Sequence, residues 1–356
     1  MKVLHFDLAH EFRGGQRQAL MLHRHLLHAG VDSRLLVDGD GGLRRAADDA
    51  GIGGMLPLPL RHRGPPILVR LRVAARVAAV LRDFKPDVVQ FHEPASMAYW
   101  PLARSAMRVH TRRVSFPIKS SSVRLKYRAM HVHVGVSHEI TGYLGSLGLA
   151  PVETIHSGID LERFRRPPRE RPLHGAPGFK LLYVGAFHKM KGIEVLAAAF
   201  VRLAAEYPDL MLHLVGAGDR LDGLLATVAA QGLRERVHVH GFRPDTESFL
   251  ADADLVLVPS TYGEGSNGAI KEAMATGRTV IASDLAAHRE LIEPGRDGLL
   301  FRNGDAEDLA TRIREYRLGR WSLAPADIRD SVERWGEARM GAAYLDLYRR
   351  HLSISR

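Results

Sequence analysis

The feature that most constrains this chain is a strand–turn–helix unit in its C-terminal half. Asp254-Leu255-Val256-Leu257-Val258 has the length and β-branched content of a buried strand. Pro259-Ser260-Thr261-Tyr262 leads into Gly263, Gly265 and Gly268, three glycines within six residues, and a helix-like run follows through Ala269–Ala275. In an open α/β sheet such a turn lies at the carboxyl end of a strand, where ligands bind. A helix N-terminus there offers unpaired N–H groups to anions. Glu264 and Glu272 bracket the turn eight residues apart, one before the helix and one on its second turn. Both can face one crevice. Spacing alone leaves a plainer alternative open, with Glu264 solvated in the turn and Glu272 on the helix surface.

The same unit recurs along the chain. Lys2–Phe6 is a buried strand, Gly14-Gly15 follows in a loop, a helix runs to His28, and Arg34–Val37 is the next strand. That succession makes a parallel sheet. Pro86–Pro94 is another strand running into a loop. Leu181–Gly185, Leu212–Gly216 and Val237–Gly241 each end on glycine, and Thr279–Ala282 and Gly298–Phe301 complete a second sheet of about six strands. Between the two sets, Arg165–Pro172 is poor in apolar residues and rich in proline, the composition of a linker. A length of 356 residues also suits two domains. Ile67–Leu81 has a helical apolar stripe at Ile67, Leu71, Ala74, Ala78 and Leu81, with Arg70, Arg72, Arg76 and Arg82 elsewhere. It reads as a surface helix or as a membrane-surface contact.

Composition removes several classes of function. With no cysteine the chain has no disulfides, no thiolate nucleophile and no cysteine-ligated zinc. The 19 histidines include no H-E-x-x-H spacing. No run is long and apolar enough to span a bilayer, and Met1–Asp7 is too short and too soon charged for a signal peptide, so a cytoplasmic protein is expected. Residues 1–165 hold 24 Lys and Arg against 14 Asp and Glu, whereas residues 166–356 hold 26 of each. The positive excess therefore belongs to the N-terminal half, around Arg61, Arg63, Arg70, Arg72 and Arg76 and again from Arg104 to Arg128. Such a field attracts nucleic acid, anionic lipid or an acidic substrate. Genome composition can also enrich arginine. No aromatic interleaving or nucleic-acid module accompanies the arginines, so no nucleic-acid partner is expected. Asp38-Gly39-Asp40 reads as a turn rather than a metal site, and Asp252-Ala253-Asp254 as the entry to a strand.

The C-terminal motif resembles the signature of family-4 glycosyltransferases. It reads Pro259-Ser260, then Glu264-x7-Glu272, then Ala273-Met274-Ala275-x-Gly277-x-x-Val280-Ile281-Ala282-Ser283. That resemblance implies a retaining, nucleotide-sugar-dependent enzyme of the GT-B fold: two Rossmann-like, doubly wound parallel α/β domains facing a cleft. It also implies an N-terminal acceptor domain over 1–165, a linker over 166–178, and a nucleotide-sugar domain over 179–332. The helical tail, 333–350, is expected to cross back onto the first domain.

Pro86-Asp87-Val88-Val89-Gln90-Phe91-His92-Glu93-Pro94 resembles a family stretch in which a histidine lies near the reacting sugar, with Gln90 replacing a first histidine. His92 and Glu264 are thereby the expected catalytic residues. The donor-binding set implied is Gly14, Gly15, Gly185, Lys191, Gly216, Phe242, Arg243, Glu264, Gly265, Ser266, Asn267, Gly268 and Glu272, with Glu264 on the sugar and Glu272 on the ribose. The family has an arginine directly after the glycine at 185, and this chain has Ala186; His188 and Lys189 are the neighbouring candidates to replace it. Arg112, Arg113 and Lys119 are the expected acceptor contacts. The resemblance implies no metal and no cofactor, with UDP the commonest donor base of the family; the basic first domain, which holds the acceptor in GT-B enzymes, points to an anionic glycan or lipid-linked acceptor of lipopolysaccharide or other envelope synthesis. The same basic half makes a peripheral contact with the inner face of the cell membrane an expectation. Two other classes stay open: a nucleotide-sugar epimerase on the same fold, and a nucleic-acid-binding protein.

Overall fold

The computed structural model describes residues 1–60, 66–321 and 323–354; Arg61 and Arg63 of the first basic cluster lie outside them. The chain forms two compact units, Met1–Gly158 with Glu337–Arg356, and Ile159–Gly336.

In the first unit seven strands make one sheet: β1 (Lys2–Asp7), β2 (Asp32–Asp38), β3 (Met55–Leu58), β4 (Val88–Phe91), β5 (Met107–Arg112), β6 (Val132–Gly135) and β7 (Val152–Thr154). Their order is β3-β2-β1-β4-β5-β6-β7, and each described pairing is parallel. Side chains alternate across a strand. Accordingly, Leu4 and Phe6 join a core on one face and Val3 a core on the other. The helix Gly14–His28 and the C-terminal helix Glu337–Ile354 cover that second face, where Met21, Leu22 and Leu26 meet Met340, Tyr344, Leu347 and Tyr348. Pro57 is accommodated because β3 is an edge strand.

The helix Pro66–Phe84 exists as expected, but its buried stripe is not the expected one. Val73, Val77 and Phe84 face the core, while Ile67 and Leu71 are exposed, along with Leu68. A periodicity of 3.6 fits both stripes, and packing against the sheet selects between them.

The second unit holds β8 (Phe179–Val184), β9 (Leu210–Val215), β10 (Val237–Gly241), β11 (Leu255–Val258), β12 (Val280–Ser283) and β13 (Leu299–Phe301). Its six-stranded order is β10-β9-β8-β11-β12-β13, again parallel in each pairing. Both faces are covered, so the strands are apolar on both sides: Leu255 and Leu257 of β11 enter one core, Val256 and Val258 the other. The unit begins at Ile159, earlier than the expected 166–178 linker. Ile159, Phe164 and Leu173 are buried in its core with Trp335, so proline content alone misplaces that boundary.

Candidate functional sites at the two switch points

In a doubly wound sheet, ligands bind outside the carboxyl ends of the two strands where the order reverses. In the second unit those strands are β8 and β11. Gly185 follows β8, and its N–H donates to Val215 O at 2.9 Å. Gly216, after β9, approaches so closely that a Cβ there would lie 1.8 Å from Gly185 O. The turn Lys189–Lys191 then docks on the exit of β11. Gly192 makes this possible: its φ is +67°, and a Cβ would lie 1.8 Å from Pro259 O. Thr261 N–H donates to Met190 O at 2.8 Å across the same seam.

The docked turn delivers Lys191 to Glu264. Lys191 Nζ donates to Glu264 Oε1 at 2.6 Å, and Ser260 Oγ donates to the same oxygen at 2.7 Å. Glu264 is only 8% exposed. Burial alone would raise its pKa, but the Lys191 ammonium, the His288 side chain and these hydrogen bonds outweigh it and hold the carboxyl below its ordinary value. Among the described residues Glu264 Oε2 accepts no hydrogen bond, so one oxygen of a fixed carboxylate remains for a ligand. The helix Gly268–Ala275 follows, capped by Asn267, whose side chain accepts from Ala269 N–H at 3.0 Å. Glu272 is buried on this helix, over its exposed first residue Gly268. Gly265, Ser266 and Asn267 are the loop between the two carboxylates.

Other expected residues are differently engaged. Phe242 is 73% exposed at the end of β10 and presents its ring to solvent. Arg243 forks onto Asp245 at 2.8 and 2.7 Å and lies over the Phe249 ring. His188, a candidate substitute for the arginine replaced by Ala186, bonds Asp219 at 3.0 Å. Two buried side chains went unread in the sequence. Lys271 is wholly buried beside Glu272, and His288 is wholly buried with Nδ1 2.8 Å from Ser283 O. Its carbonyl partner puts the proton on Nδ1, and Nε2 is without a partner. A lysine in a helix and a histidine beside an arginine carry no signal of burial.

In the first unit the switch point lies between β1 and β4. Gly14 and Gly15 are the first residues of the helix after β1 rather than a loop, so their N–H groups belong to its N-terminus. Asp7 ends β1, wholly buried, and Gln16 Nε2 donates to both its oxygens at 3.0 and 3.2 Å. Burial, only partly offset by Gln16 and Arg113, raises its pKa to about 6.

His92 follows β4 and is buried, with both ring nitrogens engaged. Arg113 donates to His92 O at 3.1 Å and to His92 Nδ1 at 3.0 Å. Arginine can only donate, so the His92 proton sits on Nε2 and is given to His5 Nδ1, 2.9 Å away. His5 then carries its proton on Nε2, which is buried without a partner. Burial first, and Arg113 next, push the His92 pKa well down, so the ring is neutral. Arg112 is buried too, donating to the Tyr127 hydroxyl at 3.2 Å and to Phe116 O. Of the three expected acceptor cations only Lys119 faces solvent fully.

Two parallel sheets of these orders, each with glycine turns and charged side chains at its switch point, are those of the GT-B fold. The family model described as Glycosyltransferase Family 4 matches residues 12–163, and the one described as Glycosyl transferases group 1 matches residues 178–316. The chain belongs to glycosyltransferase family 4.

With LpsE of Rhizobium meliloti, a lipopolysaccharide core biosynthesis glycosyltransferase, it is 24% identical over 315 residues, 88% of each chain. With WcaL of Salmonella typhimurium, described as a colanic acid biosynthesis glycosyltransferase, identity is 29% over 199 residues, 53% of this chain and only 48% of that one. The crystal structure of Anabaena HepE in complex with UDP-glucose superposes with a TM-score of 0.85 at 18% identity, over 98% of this chain and 99% of the other. These findings replace the epimerase and nucleic-acid alternatives. No helix among the described residues is long and apolar enough to cross a membrane.

Proposed function

We propose that the protein moves a sugar from a nucleotide-diphosphate donor, a UDP-sugar, to an anionic glycan or lipid-linked acceptor of envelope synthesis, with retention at the anomeric carbon. The observation that carries this reading is the Lys191–Glu264 pair at the β8/β11 switch point, followed by a capped helix N-terminus. In the reaction the bond from the anomeric carbon to the diphosphate oxygen breaks. A bond to the acceptor hydroxyl oxygen forms on the same face, and the departing diphosphate takes the acceptor's proton. Charge grows on the diphosphate as it leaves. Lys191 and the helix N-terminus offset that charge in place of a metal.

Glu264 Oε2 takes sugar hydroxyls and faces the positive charge developing on the ring, while Glu272 takes the ribose. Phe242 offers the nucleobase its exposed face. His92 acts through Arg113, keeping that guanidinium at the end of β4, rather than by bonding the sugar through its own ring. The uridine base is supported by the UDP-glucose bound to HepE, and an envelope acceptor by the descriptions of LpsE and WcaL. Exposed Ile67, Leu68 and Leu71 with Arg70 and Arg72 suit a peripheral contact with anionic lipid on the cytoplasmic side.

Calorimetric titration with UDP, GDP and ADP, each with and without EDTA, tests this. UDP binding unaffected by EDTA is expected. Binding or transfer that EDTA abolishes and magnesium restores would overturn the metal-free reading, and preference for another base would overturn the donor.

A further inference from the structure

Lys271 has no part in the reaction just proposed, yet it occupies the most costly position a lysine can take. Its side chain is wholly buried, one residue before Glu272 and on the first turn of the helix Gly268–Ala275. Lysine is almost never fully buried unless its charge is paired. Its Nζ lies 2.9 Å from Ser266 Oγ, in the loop between Glu264 and Glu272. We propose that Lys271 is a positioning residue that holds the Gly265–Asn267 loop and turns the Ser266 hydroxyl outward as a hydrogen-bond donor to an anionic oxygen of the sugar nucleotide.

An ammonium has only protons to give, so Ser266 Oγ must accept from it. The hydroxyl proton is then directed away from Lys271. Ser266 is partly exposed, unlike its neighbours Gly265 and Asn267, so a ligand can reach it. A neutral amine could accept that proton instead and reverse the bond. Burial brings the Lys271 pKa down to about 7, with Glu272 opposing, so the ammonium that fixes this direction is fully present only below that pH.

This inference rests on the donor site proposed above, and the experiment separates the two. Donor KM, kcat and melting temperature are measured for the wild type, Lys271→Met, Ser266→Ala and the double variant, with UDP titrated into each. The expected result is a donor KM raised about tenfold or more by either single change, as for loss of a charge-assisted bond. The double variant should be no worse than the singles. Donor KM within twofold of wild type in Ser266→Ala overturns the proposal even where Lys271→Met fails to fold. A double variant whose losses multiply overturns it as well. A wild type that binds no nucleotide removes the donor site and this inference together; a wild type that binds while Lys271→Met binds equally removes this inference alone.

Discussion

At the residue scale the two carboxylates of the signature divide into different tasks. Glu264 is fixed by Lys191 and Ser260 through one oxygen, leaving the other for the sugar. Glu264→Gln keeps the shape but loses the charge that faces the reacting ring. It should lower kcat about 10- to 150-fold while UDP affinity stays nearly intact, the effect of a charge-assisted bond felt in the transition state. Glu272→Ala should instead weaken UDP binding, because a ribose contact is the same before and during reaction. Initial rates with UDP calorimetry on both variants decide this; the opposite assignment of effects would exchange the two roles.

Lys191→Met should show what the pair contributes to folding. In the wild type Glu264 has a depressed pKa, so its contribution is present above the unfolded value of about 4.3 and is lost as pH falls through the folded one. Without Lys191 the buried carboxylate is uncompensated and its pKa rises. The variant should lose about 3 kcal/mol near pH 8, at the low end for broken buried pairs because Lys191 is a quarter exposed. The deficit should shrink toward pH 4.5 as Glu264 takes a proton, and urea midpoints at the two pH values measure it. Glu264 and Glu272 were legible because their spacing is fixed by one strand–turn–helix, and Lys191 because it stands six residues after Gly185, where the resembling family has a lysine. Lys271, His288 and the partners of Arg112 and Arg113 were not, because whether a side chain is buried depends on elements distant in sequence that pack over it.

At the scale of elements, glycine spacing foretold more than apolar periodicity did. The strand–turn–helix from Leu255 to Ala275 follows from three glycines and a β-branched run, whereas the helix Pro66–Phe84 has two stripes of equal period, and packing alone selects Val73 and Val77. The glycine that matters most for the site lies outside the signature. Gly192 has a left-handed φ and no room for a Cβ against Pro259 O. Gly192→Ala should destabilise the protein by about 1–3 kcal/mol and raise donor KM, since Lys191 is carried on the turn that must shift. Gly142 is the control: it lies in the helix His138–Ser146 with nothing within 4 Å of a Cβ. Gly142→Ala should be neutral or stabilise by about 0.5–1 kcal/mol. Thermal melts and donor KM for both variants check the contrast; equal behaviour would mean the Gly192 seam is not what seats Lys191.

At the scale of the whole chain, the last helix is part of the first unit although it follows the second in sequence. Nothing in the amphipathic pattern of Glu337–Ile354 identifies its partner; the family resemblance points to the first unit, and the contacts show which face it covers. Met340, Tyr344, Leu347 and Tyr348 are each under a tenth exposed and fill the sheet face shared with Met21, Leu22 and Leu26. The Tyr344 hydroxyl lies 3.1 Å from Thr111 Oγ1, and the Tyr348 hydroxyl donates to Gln90 Oε1, so the helix also satisfies buried polar groups of β4 and β5. Gly341 sits where a Cβ would meet the His25 ring, a close approach of this helix to Gly14–His28. Burying four such side chains is worth about 1.5–3 kcal/mol each, comparable in sum with the whole stability of a typical domain. Ending the chain at Gly336 should therefore unfold the first unit, while Ile159–Gly336 keeps both of its own cores. Limited proteolysis of the truncated protein, read by mass spectrometry, should leave a resistant fragment spanning about 159–336, with residues 1–158 digested. Hydrogen exchange should show protected β8–β13 amides beside freely exchanging β1–β7. A truncated chain whose β1–β7 amides remain protected would mean that the first sheet carries its own stability without the helix.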